Sequence, residues 1–326
     1  MDGIILINKP KNNTSHDIVR KVKKLLNQKV GHTGTLDPNA TGVLPLLIGK
    51  GTELSKYLIN HDKIYEAILQ LGEKRDTADI EGNVVEEKDV SESCLDKANI
   101  ANIFKSFIGI QEQIPPIYSA IKVNGKKLYE YARKGENIEV QPRKIEIYSM
   151  ELIDVDKTNK QIHFRVKCSK GTYIRTLCED IAYKLQTAGY MKELKRTQVG
   201  EFKIEDAITI EQLEDIIKYR LKKEEIKDNI ENNLEEKFED GAKNELKEKF
   251  KNSFNNNSKN NSFISIEEYF NNKENINLDE RKLNLFLNGV KLTFNLNNDI
   301  YKIYNNNKFI GTGVISNNLL KRDIVI

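Results

Sequence analysis

Cysteine is scarce in this 326-residue chain: Cys94, Cys168 and Cys178 are all there is, an odd number with no CxxC pair. A disulfide framework and a structural zinc site are therefore excluded, and the compartment this points to is reducing. Histidine is equally sparse, with His16, His32, His61 and His163 unaccompanied by the second ligand a metal centre needs. Long apolar runs are missing too. The N-terminus offers only the five residues before Asn8, and no stretch approaches 18, so neither a signal peptide nor a spanning helix is expected and the chain reads as soluble and cytoplasmic. Neither sign of charge dominates. With 52 basic and 49 acidic side chains the net charge is +3, so any nucleic-acid-binding face must be local. The glycine-rich run GHTGTLDPNATG lacks the Lys-Ser/Thr step of a phosphate-binding P-loop, which removes the support for nucleotide hydrolysis. No metal, nucleotide or redox cofactor is expected.

What is present is 38% apolar residue content in a chain long enough for two packed domains. Gly3 to Ile7 reads as a short strand closed by the turn Asn8-Lys9-Pro10. Ser15 is expected to cap a helix whose apolar face is Ile18, Val19, Val22, Leu25 and Leu26. The next 20 residues carry four glycines and two prolines around the strand-like run Val43 to Ile48, which makes them an ordered loop of the kind that often holds chemistry. A helix from Thr52 to Leu58, a strand from Lys63 to Leu71 and a loop from Arg75 to Gly82 follow. Ile162, Phe164, Val166 and Cys168 alternate with polar residues as a half-buried strand. After the turn Ser169-Lys170-Gly171 the period becomes helical from Thr172, with Arg175 in the first turn. Strands and helices without a regular βαβ rhythm predict an α+β fold.

From Leu221 to Ser262 the composition shifts, 29 of 42 residues being Lys, Glu, Asp or Asn, and the segment reads as a low-complexity insertion. A stripe at Ile226, Ile230, Leu234, Phe238, Ala242, Leu246 and Phe250 suggests a charged helix, and the Asn/Ser/Lys run beyond it a disordered stretch. Folded patterning resumes at Phe263 to Phe270. A short helix at Leu283 to Leu287 stopped by Asn288-Gly289 and strand-like runs at Tyr301 to Tyr304, Phe309 to Ile315 and Asp323 to Ile326 then make a small β module.

Asp37 is the most informative carboxylate, because Pro38, Gly31, Gly34, His32, Thr33 and Thr35 fix the backbone around it. An arbitrary Asp-Pro is usually a turn, but so dense a setting favours a site. Arg175 is unusual at a helix start, where the positive end of the dipole disfavours a cation unless an anion lies beside it. Tyr65 is ordinary core packing unless a flat ligand is present. His32 can be a base, a stacking surface or a satisfied loop residue. Residues 117 to 135 hold five basic side chains and one acid among Tyr118, Tyr129 and Tyr131, which is an RNA-like surface on a protruding hairpin-like element.

Taken together, NKP at Asn8 to Pro10, GHTGTLDP at Gly31 to Pro38, ATGVLP at Ala40 to Pro45, RDTAD at Arg75 to Asp79 and KGTYIR at Lys170 to Arg175 resemble the TruB family of bacterial tRNA pseudouridine synthases. The resemblance runs in order to about Ala207 and includes IPPIYSAIKVNGKKLYEYAR at Ile114 to Arg133. It implies a pseudouridine synthase catalytic domain over residues 1–270, on a mixed, mainly antiparallel sheet, with a PUA-like β module over 277–326. It implies isomerisation of uridine-55 in the T loop of tRNA by a monomer. In that reading Asp37 is the nucleophile, Arg175 pairs with it, Tyr65 stacks on the uracil and His32 holds the flipped-out loop. Lys9, Tyr173, Lys122, Lys126, Lys127 and Arg133 are then further substrate contacts, the last four on a gripping insertion over 114–140. A non-catalytic tRNA-binding protein on the same fold and a synthase for another RNA are the rival readings.

Overall fold

The computed structural model describes residues 2–136, 138–219 and 262–326; the stripe from Ile226 to Phe250 and the Asn-rich run after it lie outside them. The chain enters as β1 (Gly3–Lys9), which is apolar on both faces: Ile4 and Leu6 join one cluster, Ile5 and Ile7 another. Next is α1 (Ser15–Leu26), whose cap is Thr14 rather than Ser15. Thr14 Oγ1 accepts from the Asp17 amide and Asp17 accepts from the Thr14 amide, a reciprocal capping box that leaves Ser15 in the first turn with its hydroxyl free for another partner. Strands β2 (Val30–His32) and β3 (Thr41–Ile48) follow. Where a helix from Thr52 was expected, a 3-10 turn over Gly49–Leu54 feeds a single turn of helix, α2 (Ser55–Leu58). That turn is pressed against β1, since a Cβ at Gly51 would lie 2.2 Å from the Gly3 carbonyl oxygen.

The middle of the chain supplies β4 (Lys63–Leu71), β5 (Glu73–Arg75), β6 (Val84–Glu87), α3 (Lys97–Lys105) and β7 (Gly109–Gln113). It continues with β8 (Lys122–Val123), β9 (Lys126–Lys127), α4 (Leu128–Ala132), β10 (Arg143–Asp156) and β11 (Gln161–Cys168). Then come α5 (Ile174–Lys184), β12 (Gly189–Val199), β13 (Phe202–Lys203) and a helix beginning at residue 210. Beyond the undescribed residues, β14 (Phe263–Ser265) returns to pair with β1.

One mixed sheet runs in the order β14-β1-β3-β12-β4-β11-β10-β7, antiparallel throughout except where β12 lies parallel to β3. The alternation read at Ile162 to Cys168 is real: these side chains are buried with Ala67, Leu69 and Leu71 of β4 beneath α3 and α5. The opposite face of the same strands carries Glu66, Arg165 and Glu151, an ion-pair row open to water. The sheet is thus α+β with helices on one side of its β4-β11 half, and the strand ends meet the loops that follow β2 and precede α5.

The C-terminal residues form a second sheet, β15 (Asn275–Asn277), β16 (Leu292–Thr293), β17 (Ile300–Asn305), β18 (Lys308–Ser316) and β19 (Leu319–Val325), around Phe286, Ile303 and Leu320. It docks on the first. Ile324 is buried with Ile4, Leu54 and Leu58, and Asp323 accepts a 2.6 Å hydrogen bond from the Tyr57 hydroxyl while pairing with Lys56. Among the described residues no helix is long and apolar enough to cross a membrane.

Candidate functional site

Asp37 sits in the loop between β2 and β3, and this loop is held by side chains from three separate elements. The Ser15 hydroxyl accepts from the Leu36 amide at 2.9 Å and donates to the Leu36 carbonyl at 3.1 Å. Lys9 Nζ donates to the carbonyls of Pro38 at 3.1 Å, Asn13 at 2.7 Å and Pro10 at 3.0 Å. Arg196 donates from Nε to the Val43 carbonyl at 2.9 Å, and from Nη1 and Nη2 to the Gly34 carbonyl at 3.1 Å each. All three side chains are buried. A segment whose backbone cannot pair regularly has its carbonyls satisfied by cations instead.

Lys9, which the resemblance gives as a substrate contact, is 0% exposed here and each N–H of its ammonium has a carbonyl, so in this structure it braces the loop. Burial pushes its pKa down to about 8, the Asp37 carboxylate opposing the shift and Arg196 adding to it.

Arg175 finds the anion that its position asked for. It is the second residue of α5, a helix that starts two residues later than the period from Thr172 suggested because Tyr173 serves as the cap. Its Nε lies 3.1 Å from Asp37 Oδ2 and its Nη1 3.6 Å from Asp79 Oδ2, with the guanidinium side chain only 7% exposed. Its remaining donors go to the carbonyls of Thr77 at 3.3 Å and Tyr118 at 3.0 Å. Three loops therefore converge on one side chain. The Asp79 carboxylate is itself oriented by Thr77 Oγ1 at 2.7 Å and by the Glu81 amide at 3.1 Å. The neighbouring Ala78 has φ +60°, a conformation that costs a residue with a Cβ and is imposed by the Met191 amide bonding to its carbonyl.

The Asp37 carboxylate reaches the rim of the cleft, with 39% of its side chain exposed, yet protein walls it on the other sides. Burial pushes its pKa up from the ordinary carboxylate range; Arg175 pulls the other way, Asp79 adds to the rise and Lys9 opposes it.

Tyr65 lies on β4 opposite Arg196 of β12 and Val166 of β11, partly buried against the helix-covered core. Its hydroxyl is pushed up by burial and drawn back by Arg196. His32, at the end of β2, has a buried Nδ1 with no partner and a pKa lowered by burial, then by Arg196 and His16, so the ring is neutral at pH 7. Tyr173 is anchored through its backbone: its amide donates to Gln113 Oε1 at 2.8 Å and its carbonyl accepts from Gln113 Nε2 at 3.0 Å. Asp37, Tyr65, His32 and Arg175 are thus gathered at one end of the sheet. Sequence reading missed Asp79, Lys63 and Arg196. Lys63 and Arg196 are both buried, and a Cβ at Gly34 would lie 3.9 Å from Lys63 Cε and 3.3 Å from Arg196 Nη1. Buried Arg175 pairs with both carboxylates and Lys9 also acts on Asp37, while Lys63 and Arg196 lie together beside Gly34 of the same loop.

Beside this centre stands the basic element. β8 and β9 form a tight hairpin about Asn124 (φ +50°) and Gly125 (φ +82°), the left-handed pair that an Asn-Gly turn supplies. Buried Leu128 and the Tyr131 hydroxyl, bonded to the Val123 carbonyl at 3.0 Å, pin it to α4. Lys122, Lys126 and Arg133 are exposed and Lys127 half-buried, with Lys127 and Arg133 each 5.3 Å from the Tyr129 ring centroid. The same segment supplies the Tyr118 carbonyl to Arg175, so the basic surface and the carboxylate cleft are adjacent.

Comparison with known proteins bears on this arrangement. A family model described as TruB family pseudouridylate synthase (N terminal domain) matches residues 22–174, and one described as tRNA pseudouridylate synthase B C-terminal domain matches residues 175–236. The tRNA pseudouridine synthase B of Caldanaerobacter subterraneus subsp. tengcongensis is 39% identical over 318 residues, 96% of this chain and 95% of that protein. That of Clostridium kluyveri is 50% identical over 222 residues, 67% of this chain and 75% of the relative. Among solved structures, a chain of a Cbf5-Nop10-Gar1 complex matches with a TM-score of 0.62 and 25% identity, covering 96% of this chain and 78% of its own. A chain of an H/ACA RNP bound to a substrate RNA containing 2'-deoxyuridine matches with a TM-score of 0.63 and 22% identity, covering 99% of this chain and 85% of its own.

Proposed function

Because the chain belongs to the TruB family of pseudouridylate synthases, we propose that it isomerises a uridine of tRNA to pseudouridine, at position 55 in the T loop, acting as a monomer with Asp37 as the nucleophile. The observation that carries this reading is the Asp37–Arg175–Asp79 arrangement, a carboxylate at the cleft rim paired with a buried cation that a second carboxylate and two carbonyls also hold. A protein that only binds RNA has no use for a carboxylate at the rim of a cationic cleft, where it repels phosphate.

A uridine inside a folded loop must leave its stack to be rebuilt, and the enzyme must supply a surface for the extruded ring. Tyr65 offers that surface and neutral His32 a second contact for the loop. Asp37 adds to the nucleotide, the bond from uracil N1 to the sugar breaks, the ring turns, and C5 bonds to the sugar in its place. The proton on C5 then passes to water, N1 takes up one in exchange, and the carboxylate is expelled unchanged. Arg175 keeps Asp37 ionised against the pull of burial and aligns it. The basic hairpin grips the T-stem backbone, supplying affinity without reading sequence.

The test is a tRNA transcript tritiated at uracil C5, because forming the carbon–carbon bond expels that hydrogen. Expected is one tritium released per tRNA, none from a transcript carrying cytidine at position 55. Release that survives the position-55 change would assign another uridine, and no release with tight binding would return the protein to the binders.

A further inference from the structure

We infer that Arg196 is a positioning residue for this reaction, tying the loop that carries Asp37 to the strand that carries Tyr65. The inference rests on the proposed synthase reading and concerns a side chain that touches no substrate.

Arg196 is 1% exposed and is among the largest fully buried side chains in the protein. A buried cation is costly, and an apolar residue of similar volume usually serves packing better. No carboxylate pairs with it among the described residues. Its donors instead go to the two ends of one loop, the Gly34 carbonyl through both terminal nitrogens and the Val43 carbonyl through Nε. Its backbone is equally engaged. Arg196 pairs in parallel with Gly42, and a Cβ at Gly42 would lie 2.1 Å from the Arg196 carbonyl oxygen, so the loop's exit strand is seated directly on it.

On its other side Arg196 stands opposite Tyr65 in the β4–β12 ladder, and guanidinium and hydroxyl act on each other electrostatically. A single rigid fork thus links the loop that carries the proposed nucleophile to the strand of the ring expected to stack on the extruded base. Lysine cannot reproduce this. A point charge on a flexible stem reaches one carbonyl, whereas the guanidinium holds two.

Arg196→Lys and Arg196→Gln are compared with wild type, alone and combined with Tyr65→Phe. The readouts are single-turnover rate at saturating RNA, affinity for the T-stem-loop, and melting temperature. Expected for Arg196→Lys is affinity within about threefold of wild type and a rate lowered roughly 100-fold, as for a displaced catalytic group. In the Tyr65→Phe background the further loss should shrink to about tenfold or less, because part of what Arg196 acts through is already gone. Losses that multiply fully in the double variant, or that merely track the folded fraction, overturn the inference. If neither Arg196 variant folds, Gly34→Ala combined with Tyr65→Phe asks the same question with Arg196 in place, and independent effects again overturn it. An inactive wild type would overturn the synthase reading itself.

Discussion

Asp37 differs from most carboxylates in that its surroundings both penalise and require its charge. Burial and Asp79 raise its pKa while Arg175 and Lys9 lower it, so the pH dependence of catalysis should report this balance. An ionised nucleophile is needed, so the rate falls as pH drops through the Asp37 pKa, and that acid limb lies above the usual carboxylate range. Arg175→Met removes the largest opposing influence and should move the limb to higher pH, besides lowering the plateau; a limb that stays in place would mean that another group titrates. Asp37→Asn should keep the melting temperature within a few degrees and RNA affinity close to wild type, while single-turnover rates fall by roughly 10⁴-fold or more. Near-normal turnover in purified Asp37→Asn would remove it from the chemistry. The pairing of Asp37 with Arg175 had signals in the sequence, the dense setting of the one and the unfavourable helix-start position of the other. Arg196 had no such signal. It is adjacent to Lys195, and which of the two faces inward follows from the register shift between Met191 and Glu193, a property of strand pairing that composition does not carry.

At the scale of elements, the hairpin β8–β9 with α4 separates gripping from reacting. Its charged tips are exposed, whereas its base, through the Tyr118 carbonyl, is part of the Arg175 clamp. Replacing Lys122 and Lys126 by Gln should weaken binding to a T-stem-loop and flatten the salt dependence, each lost phosphate contact removing roughly 0.7 to 0.9 from the slope of log affinity against log salt. Single-turnover rates at saturation should change less than about threefold, since binding alike in ground and transition states does not reach the chemical step. An unchanged slope with a collapsed rate would make the element a lid. Elements built on local signals were read well, among them the alternation of β11 and the strand β4. The capping of α1 was misread by one residue because Thr14 and Ser15 are both good caps, and only the reciprocal bond to Asp17 decides between them.

At the scale of the molecule, the main sheet is finished by residues far apart in sequence. The helix beginning at 210 buries Ile210 and Leu213 against the α1 side of β1 and β3, and β14 adds to the free edge of β1, so both ends of the 220–261 stretch are anchored by the same strand neighbourhood. Replacing residues 225–260 with a short Gly/Ser linker should therefore leave the melting temperature within about 5 °C and turnover on a T-arm substrate within about twofold. A large loss of rate in a soluble, folded deletion protein would assign the stretch a catalytic role. The pairing of β1 also sets a timetable for the newborn chain. Gly3 to Ile7 are made before β3, which is available soon after. The amide of Leu6, however, is satisfied only by the Ser262 carbonyl, and its carbonyl by the Ile208 amide. At about 5–20 residues per second, roughly 13 to 50 s separate the synthesis of this strand from that of its last partner. Through that interval an uncharged, β-prone pentapeptide keeps one edge unpaired, so β1 is a strand for which a holding chaperone during translation would matter.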